Sequence, residues 1–529
     1  MNALTCFAKS PRFPFLVFAT ILLPVSVGAQ PVLSVDPMSI SAQTNQGASA
    51  SSQTVQVSNA GNQALMWSVA LLETPAGPAT AGWLTVSPTS GTNNRMLTLT
   101  FQPQPAGQYQ TKFQVVPSTG SSGPVTVTVN LTVNDGTTPP DPSGVGPQST
   151  ITCPAGAVDI LPGQYIQSFV NLNPGTTTFC LRAGVHSLTS SITPKTGNTF
   201  VGEYGAILDG TGWRTTDDTQ AAFRAYDDPN DPNDSNDPIK SVTIRNLVIR
   251  NMPQWGIHGH YQMADHWTVE YNEIASNRWG VLFGSDFSIR NNYIHHNVGN
   301  PSSPVPGERG GGYVGQYAHN AIVDSNEISY NGPEQKVGLS ANVTFRNNFV
   351  HHNIRDGIWY DFNNTAALIE GNRVEDNGRT GISYEVSNGA TIRNNTLRRN
   401  AADSVLISMS QNAQIYNNTL EGNFGGIEYF LNCAAFSEGF DLQDNATYDN
   451  TVVIGTQSNT YANGFSYIVS SCTSAQVSPY LNGLKNLTFS RNTYRVPSLS
   501  NTKYFIWPSS IDWNQWQALG NDLSGSISQ

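Results

Sequence analysis

One nine-residue pattern recurs seven times between residues 269 and 423, and it constrains the fold more than any other feature. Each copy reads apolar-x-x-Asn-x-apolar-x-x-Asn, so its two asparagines lie five residues apart. The first asparagine of each copy falls at Asn272, Asn292, Asn326, Asn348, Asn372, Asn395 and Asn418. The steps are 20 to 24 residues except for one of 34, which indicates an inserted loop at 298–312.

A repeat in the low twenties is typical of a leucine-rich repeat or of a parallel β-helix. The chain lacks a regular leucine ladder, and each copy instead contains short strands with β-branched or aromatic residues at alternate positions. Coils stacked about 4.8 Å apart would place each asparagine over the next, so that the side-chain amides hydrogen-bond along the stack. We therefore expect a parallel β-helix in which the repeated asparagines are structural.

The two ends of this region are similar to known β-helix proteins. The segment 160–210, which begins ILPGQYIQSF, and the segment 505–526, which begins FIWPSS, resemble the first and last segments of right-handed β-helices of the pectate-lyase superfamily. The resemblance implies an all-β, right-handed parallel β-helix over residues 150–529 with caps at both ends. That superfamily contains lyases, hydrolases, epimerases and proteins without enzymatic activity, so the resemblance leaves the reaction open.

A smaller domain is predicted before the repeats. Residues 30–134 contain short alternating strands separated by turn residues, which is typical of a small β-sandwich. The stretches LSVDPMSISA, WLTVSPTSGT and PVTVTVNLTV resemble the BACON family of immunoglobulin-like modules. This resemblance implies a spacer, or an accessory module that binds glycan or mucin. Residues 135–149 are rich in Pro, Gly and Ser and predict a linker.

The N-terminus indicates export. Lys9 and Arg12 precede the apolar run 13–25, and small residues ending at Ala29 suit signal peptidase. The run is shorter than the ~20 apolar residues of a membrane-spanning helix, and no later stretch is long enough. We expect residues 1–29 to be a signal peptide cleaved after Ala29, and the mature protein to be secreted, periplasmic or extracellular.

The cysteines predict two disulfides. Removal of the signal peptide leaves Cys153, Cys180, Cys433 and Cys472, and an even number in an exported chain indicates disulfide bonds. Pairing of sequence neighbours gives Cys153–Cys180 and Cys433–Cys472, one at each end of the repeats. No His/Cys spacing indicates zinc.

The net charge of the chain argues against some classes of binding partner. A formal net charge of −11, from 26 Lys and Arg against 37 Asp and Glu, argues against the basic face that nucleic-acid binding requires. The same balance argues against a polyuronate substrate unless cations intervene. We expect a monomer that contacts extracellular polysaccharide, with no nucleic-acid partner and no membrane span.

The strand after each second asparagine carries the candidate site. In consecutive copies it reads GIHGH, GVLFG, KVGL, GIWYD, GISYE, SVLIS and GIEYF. Alternation along a strand places one set of residues towards the core: Ile358, Tyr360, Ile382, Tyr384, Val405, Ile407, Ile427 and Tyr429. The opposite, outward face then carries His258, His260, Lys336, Trp359, Asp361, Ser383, Glu385, Ser408 and Glu428.

Asp361 and Glu385 fall in register on adjacent coils, with Lys336 one coil earlier, and three interpretations remain open. As a Ca²⁺ site, the carboxylates would serve a lyase or epimerase that neutralises a uronate, with Lys336 or an arginine as base. As an acid pair, they would hydrolyse glycosides, one carboxyl having a pKa raised by its neighbour. As a salt-bridged column with Lys336, they would be structural and contribute about 0–1 kcal/mol per pair.

The functional hypothesis is cleavage of an extracellular polysaccharide, by β-elimination or by glycoside hydrolysis. The predicted catalytic residues are Asp361, Glu385 and Lys336, and the predicted substrate contacts are Trp359, Glu428, His258 and His260. Trp359 is expected to offer an exposed stacking platform for a sugar. Ca²⁺, held by Asp361 and Glu385, is the one predicted cofactor. The alternative is a non-catalytic glycan-binding or adhesive surface protein.

Overall fold

The structure is a computed structural model of the 529-residue chain. It describes residues 30–45, 52–71, 82–104, 107–120, 122–134, 144–225, 238–259, 263–299, 309–455, 460–500 and 503–529. The chain divides into two compact units, Met1–Pro140 and Asp141–Gln529. The predicted signal peptide and most of the predicted linker lie outside the described residues. Within the described residues, no helix has the length and apolar character needed to cross a membrane.

The first unit is the predicted β-sandwich, with two sheets around one apolar core. One sheet is antiparallel and has the strand order Leu33–Asp36, Gln53–Asn59, Arg95–Phe101, Leu84–Ser87. The other has the order Ser39–Asn45, Val125–Asn134, Gly107–Pro117, Met66–Leu71, Ser90–Thr92, and its first pair is parallel. Trp67 and Trp83 are buried in this core, so neither forms an open platform for a sugar.

The second unit is a parallel β-helix of three long sheets. Sheet 1 contains Val158–Ile160, Thr178–Leu181, Thr199–Gly202, Thr243–Arg245, Thr268–Glu270, Ser288–Arg290, Ile322–Asp324, Thr344–Arg346, Leu368–Glu370, Thr391–Arg393, Gln414–Tyr416, Asn445–Tyr448 and Leu487–Ser490. Sheet 2 contains Gly184–Ser187, Ala206–Asp209, Val248–Arg250, Glu273–Ala275, Tyr293–His295, Glu327–Ser329, Phe349–His351, Arg373–Glu375, Thr396–Arg398, Thr419–Glu421, Thr451–Val453, Thr493–Arg495 and Ser526–Ser528. Sheet 3 contains Ala221–Ala225, Trp255–Gly259, Trp279–Phe283, Gly311–Gln316, Lys336–Gly338, Ile358–Asp361, Ile382–Glu385, Asp403–Ser408, Gly425–Leu431, Asn463–Tyr467, Phe505–Ile506 and Ser510–Ile511.

Short helices and two disulfides complete the β-helix. The helices are Ile166–Leu172, Ser474–Leu481 and Trp513–Ala518, with a 3₁₀ helix at Cys433–Glu438 and a small two-stranded sheet of Ile239–Lys240 and Ala264–Asp265. Capping boxes at Thr473 and Asp512 start the last two α-helices. The predicted disulfides Cys153–Cys180 and Cys433–Cys472 are both present.

Two columns of asparagines run through the β-helix, as predicted. From Asn272 to Asn492, each side-chain amide donates to the Oδ1 atom of the next asparagine at 2.9–3.0 Å. Asp522 accepts the last of these amides at 2.9 Å and so ends the column. The second column, from Asn277 to Asn423, has distances of 2.9–3.2 Å. Each amide also reaches a backbone carbonyl, so these buried polar groups are satisfied.

Alternation along the strands of sheet 3 separates core from outer face. All eight residues predicted to face the core are buried in one continuous apolar cluster. The residues between them point away from the core and, because the strands are parallel and in register, they form columns from coil to coil. Any chemistry on this face therefore depends on which side chains the register stacks together.

The outer face of sheet 1 carries charged side chains that alternate in sign. We call these residues the sheet 1 ladder; in register from coil to coil they are Arg245, Glu270, Arg290, Asp324, Arg346, Glu370 and Arg393. Arg346 Nε lies 2.8 Å from Asp324 Oδ2, and Arg393 Nε lies 2.8 Å from Glu370 Oε2. Opposite charges on neighbouring strands are stabilising, so this register suits the fold.

Candidate functional site

Two carboxyl groups are stacked on the outer face of sheet 3. The strands Ile358–Asp361 and Ile382–Glu385 pair in parallel, with Trp359 opposite Ser383 and Asp361 opposite Glu385. Both strands follow a Gly-Ile step after the second asparagine column, which sets the same phase in each coil. Paired positions on neighbouring strands lie about 4.8 Å apart at the backbone, so the two side chains share one patch of surface.

Lys336 binds the first of these carboxyls. Val337 pairs with Tyr360, which places Lys336 beside Trp359 on the preceding coil. Its Nζ donates a hydrogen bond to Asp361 Oδ2 at 2.8 Å. The side chains of Lys336 and Asp361 are 40% and 23% exposed, so solvent screens this ion pair and its contribution to stability is about 0–1 kcal/mol.

Glu385 has a strongly perturbed acidity. Burial raises its pKa, and the charges of Asp361 and Asp356 raise it further, while Arg379 opposes the shift. The result is a pKa of about 7, against an ordinary value of 4.5. Near neutral pH, Glu385 is therefore partly protonated beside the ion-paired Asp361. Neighbouring carboxyls whose environments differ in this way are suited to acid and base roles.

Trp359 lies within this patch but is not the open platform expected from sequence. Its side chain is 7% exposed, because Lys336 Nζ and the Arg355 guanidinium lie 5.1 and 4.8 Å from its ring centre. The indole Nε1 has no acceptor at hydrogen-bond distance among the described residues. It is nevertheless close enough to the Glu385 carboxyl to lower its pKa slightly. The ring is therefore a packed part of the site.

Asp356 is a further member of the site that the sequence reasoning missed. It is 1% exposed, accepts a hydrogen bond from Ser383 Oγ at 3.0 Å, and lies 3.4 Å from Arg379 Nη1 and 3.6 Å from Arg355 Nε. Its place directly before the Gly-Ile step was the available signal. Asp356 thus binds Arg379, whose charge acts on Glu385, and Arg355, which lies over the Trp359 ring.

Glu428 belongs to a second acidic cluster, on later coils of the same sheet. Ser383 pairs with Leu406 and Leu406 with Glu428, so Glu428 lies two coils beyond Ser383. The Tyr461 hydroxyl contacts Asp403 and lies 3.0 Å from Glu428 Oε2. Burial raises the pKa of Asp403 well above its ordinary value, and the charge of Glu428 adds to this shift.

The contacts of this second cluster depend on a glycine. A Cβ atom at Gly425 would collide with Asp403 and with the ring of Tyr461. Ser466 Oγ also donates to Glu428, so both carboxyls are engaged within the protein. The sequence reasoning identified Glu428 but missed Asp403 and Tyr461.

Of the two predicted histidine contacts, His258 is described by the structure, and it lies away from the carboxyl pair. His258 is 4% exposed, packs edge-on against Trp255 at 5.3 Å, and lies three coils before Lys336. Its register in sheet 3 is outward, as predicted, but the side chain is buried against Trp255 and lies too many coils away to be close to Asp361. His260 lies outside the described residues.

Asp361 and Glu385 offer few ligands for a calcium ion. Ca²⁺ takes 6–8 oxygen ligands, whereas Lys336 already occupies one oxygen of Asp361 and Glu385 is partly protonated. Among the described residues, the group with metal-ligand spacing is elsewhere, at Asp265, His266 and Asp286, whose ligand atoms lie within 4.8 Å of one another. Exposed acidic groups of this kind are common without an ion.

Comparison with protein families gives two matches. The family described as "Right handed beta helix region" matches residues 232–368, 308–446 and 362–501, which overlap and span just over half of the chain. The family described as "Viral BACON domain" matches residues 32–133. No curated protein matches the sequence.

Several solved structures are similar to this chain at low identity. The A-module of mannuronan C-5 epimerase AlgE6 from Azotobacter vinelandii is 13% identical, with 68% of this chain and 92% of that chain covered and a TM-score of 0.46. The catalytic unit of the GH87 α-1,3-glucanase from Streptomyces thermodiastaticus is 12% identical, with 91% and 87% covered and a TM-score of 0.47. The family 28 exopolygalacturonase of Yersinia enterocolitica is 12% identical, with 92% and 99% covered and a TM-score of 0.34. Likeness at this level assigns no reaction to the chain.

Proposed function

The chain belongs to the right-handed β-helix family, and from that premise we propose that it is an exported enzyme that hydrolyses an extracellular polysaccharide. The observation that carries this proposal is the carboxyl pair on sheet 3. Asp361 and Glu385 are in register on adjacent coils, yet one is ion-paired and the other has a pKa of about 7. Glycoside hydrolysis needs such a pair, a protonated acid beside an ionised carboxylate.

The two carboxyls have separate roles in this reaction. Glu385 gives its proton to the glycosidic oxygen, so that the leaving sugar departs as a neutral hydroxyl group. Asp361 keeps its negative charge and stabilises the positive charge that develops at the anomeric carbon. A water molecule adds to that carbon, and the proton that it releases restores Glu385 to its acid form. Lys336 holds Asp361 in place through its 2.8 Å hydrogen bond, and Asp356 holds Arg379 near Glu385.

Elimination is the less supported chemistry. A lyase needs a base with a free electron pair to remove the C5 proton. Lys336 is the predicted base, but its Nζ donates to Asp361 and lies over the Trp359 ring, which suits an ammonium group. Ca²⁺ at Asp361 and Glu385, which an elimination would use, stays a prediction.

A non-catalytic role is the second candidate, and one observation favours it. The Lys336–Asp361 ion pair neutralises half of the carboxyl pair, as in a structural column. In that case the outer face of sheet 3 would bind or display glycan without cleaving it. A structural column of ion pairs does not need a partly protonated carboxyl. Hydrolysis is preferred because Glu385 is partly protonated near neutral pH.

Export is part of the proposal. Two disulfides indicate folding in an oxidising compartment, which is outside the cytosol in most organisms. Cleavage after Ala29, the monomeric state and the absence of nucleic-acid partners stay predictions. Mass spectrometry of the mature N-terminus and light scattering of the purified protein would test the first two.

A panel of soluble polysaccharides tests the function directly. Neutral glucans, mannans and xylans are compared with polygalacturonate and alginate, with and without EDTA. New reducing ends without ultraviolet absorbance of an unsaturated uronate would show hydrolysis, and absorbance that EDTA abolishes would show calcium-dependent elimination. Binding of a polysaccharide without either product would favour the non-catalytic role.

A further inference from the structure

Trp359 carries a buried hydrogen-bond donor without an acceptor. The side chain is more than nine-tenths buried, and its Nε1 has no partner at hydrogen-bond distance in the described part of the chain. Leaving a buried donor unpaired is destabilising, so such a group in a folded protein calls for a physical reason.

The carboxyl that this donor faces is that of Glu385. Trp359 pairs with Ser383 on the next coil, and Glu385 lies two residues beyond Ser383 on the same outer face. This register places the indole N–H on the same patch as the Glu385 carboxyl, and the N–H lowers the pKa of that carboxyl. Lys336 and Arg355 both lie against the ring and hold it in this orientation.

We propose that Trp359 is a positioning residue for proton transfer: its indole N–H pairs with the Glu385 carboxylate once Glu385 has released its proton. The proposal rests on the proposed function. The proton moves from a Glu385 oxygen to the glycosidic oxygen, and the bond between that oxygen and the anomeric carbon breaks. Water adds to the anomeric carbon and returns a proton to Glu385, while the indole keeps its hydrogen throughout. The donor is unpaired before the transfer and paired after it, so it favours the transition state over the ground state.

Other charged groups also act on Glu385 and must be separated from the indole. Asp361 faces it from the preceding strand, Asp356 and Arg379 face it from the turns, and the following strand offers the uncharged Ser408. All of them remain in a Trp359→Phe protein, which loses only the N–H group and part of the ring. That variant therefore removes the donor while leaving these charged groups in place.

Nuclear magnetic resonance of ¹⁵N-labelled indoles tests the contact without any substrate. The Trp359 signal is the one missing from the Trp359→Phe protein, and it is followed from about pH 5 to about pH 9, on both sides of the Glu385 pKa. We expect it to move downfield with a midpoint near pH 7. Glu385→Gln should abolish this movement. A Trp359 signal that does not titrate, or that titrates equally in Glu385→Gln, would overturn the proposal.

Kinetics on a hydrolysed polysaccharide test the consequence. Trp359→Phe should lower kcat about tenfold to a hundredfold, the value of one hydrogen bond to a charged group, with KM within about twofold. The alkaline limb of its pH–rate profile should move to higher pH, because the N–H lowers the pKa of Glu385.

Trp279→Phe is the matched control, since Trp279 lies on sheet 3 but stacks on Trp255, away from the carboxyl pair. An unchanged kcat and alkaline limb in Trp359→Phe would overturn the role of Trp359. Full activity of Glu385→Gln would instead overturn the proposed function, so the two failures are distinguishable.

Discussion

Sheets 1 and 3 stack charged side chains on their outer faces in opposite ways. In the sheet 1 ladder, each side chain meets the opposite charge on the next coil, as Arg393 meets Glu370 at 2.8 Å. On sheet 3, Asp361 meets Glu385, and like charges directly opposite one another are destabilising. The same parallel register thus pairs opposite charges on one face and places two acidic groups side by side on the other.

The contrast shows that the carboxyl pair is not imposed by the fold. A basic residue at position 385 would continue the alternation that sheet 1 uses throughout its ladder. On sheet 1 the contacts with Tyr416 and Glu370 raise the pKa of Arg393, so they favour its charged form. On sheet 3 the surroundings of Glu385 raise its pKa and suppress its charge. Local conflicts of this second kind are expected at functional sites.

The largest expected effect is loss of activity when the pair is broken. Glu385→Gln removes the proton donor and should lower kcat by about a hundredfold or more. Glu421→Gln is the matched control, because it makes the same change on the outer face of sheet 2, where Glu421 pairs with Arg398 at 2.9 Å. Reducing-end assays on one polysaccharide measure both. Equal activities of the two variants would show that the sheet 3 pair has no special role.

Asp361→Asn tests the other half of the pair. It should also lower kcat by about a hundredfold, since the carboxylate that faces the developing positive charge becomes neutral. It should also lower the pKa of Glu385, whose shift depends partly on the charge of Asp361. The alkaline limb of the pH–rate profile then moves to lower pH. Asp449→Asn, which breaks an exposed ion pair with Arg491, should change neither quantity.

The pH dependence of stability is the next largest effect. Below about pH 4.5 Glu385 is protonated in both the folded and the unfolded protein. Between pH 4.5 and 7 it is ionised in the unfolded chain but still largely protonated in the folded protein. Stability from this group is therefore full below pH 4.5, falls by about 3 kcal/mol as pH rises to 7, and is level above it. Glu385→Gln does not lose stability in this way as the pH rises. Its melting temperature relative to that of the wild type should therefore be higher at pH 8 than at pH 4. Parallel melting profiles would contradict the raised pKa.

Charge reversal in the sheet 1 ladder should have a smaller effect. Arg393→Glu places a like charge opposite Glu370 and removes a hydrogen bond to Tyr416, which should destabilise the β-helix by about 1–2 kcal/mol. Activity should not change, because the ladder lies on another sheet. Arg393→Gln removes the charge without reversing it and should show a smaller loss in melting temperature. If both variants have the melting temperature of the wild type, the alternating charges on sheet 1 do not contribute to stability.

Spacing in the sequence was sufficient to predict the repeated parts of the structure. The constant interval of five residues placed Asn348 and Asn353 in their two columns, because every coil makes the same bends. The shared Gly-Ile step likewise placed Asp361 opposite Glu385. Both disulfides followed from sequence proximity at the two ends.

Features that depend on side-chain conformation or on irregular coils were not predictable in this way. Alternation placed Trp359 outward, but its burial depends on where the long side chains of Lys336 and Arg355 lie. The contact of Tyr461 with Asp403 spans a coil that contains a 3₁₀ helix and a disulfide, so no constant spacing reveals it.

The smallest expected effect concerns Lys336, and it separates the two chemistries. If Lys336 only holds Asp361, then Lys336→Met should lower kcat about tenfold at most and change stability by about 0–1 kcal/mol, as expected for a screened ion pair. If Lys336 were the base of an elimination, the same variant would lose nearly all activity. Lys485→Met is the control, because Lys485 also binds an aspartate and lies near a tyrosine ring, far from the pair. If Lys336→Met loses all activity while Lys485→Met keeps it, and the wild type forms unsaturated products, the reaction is an elimination and not a hydrolysis. The carboxyl pair on sheet 3 would then be the predicted cation site.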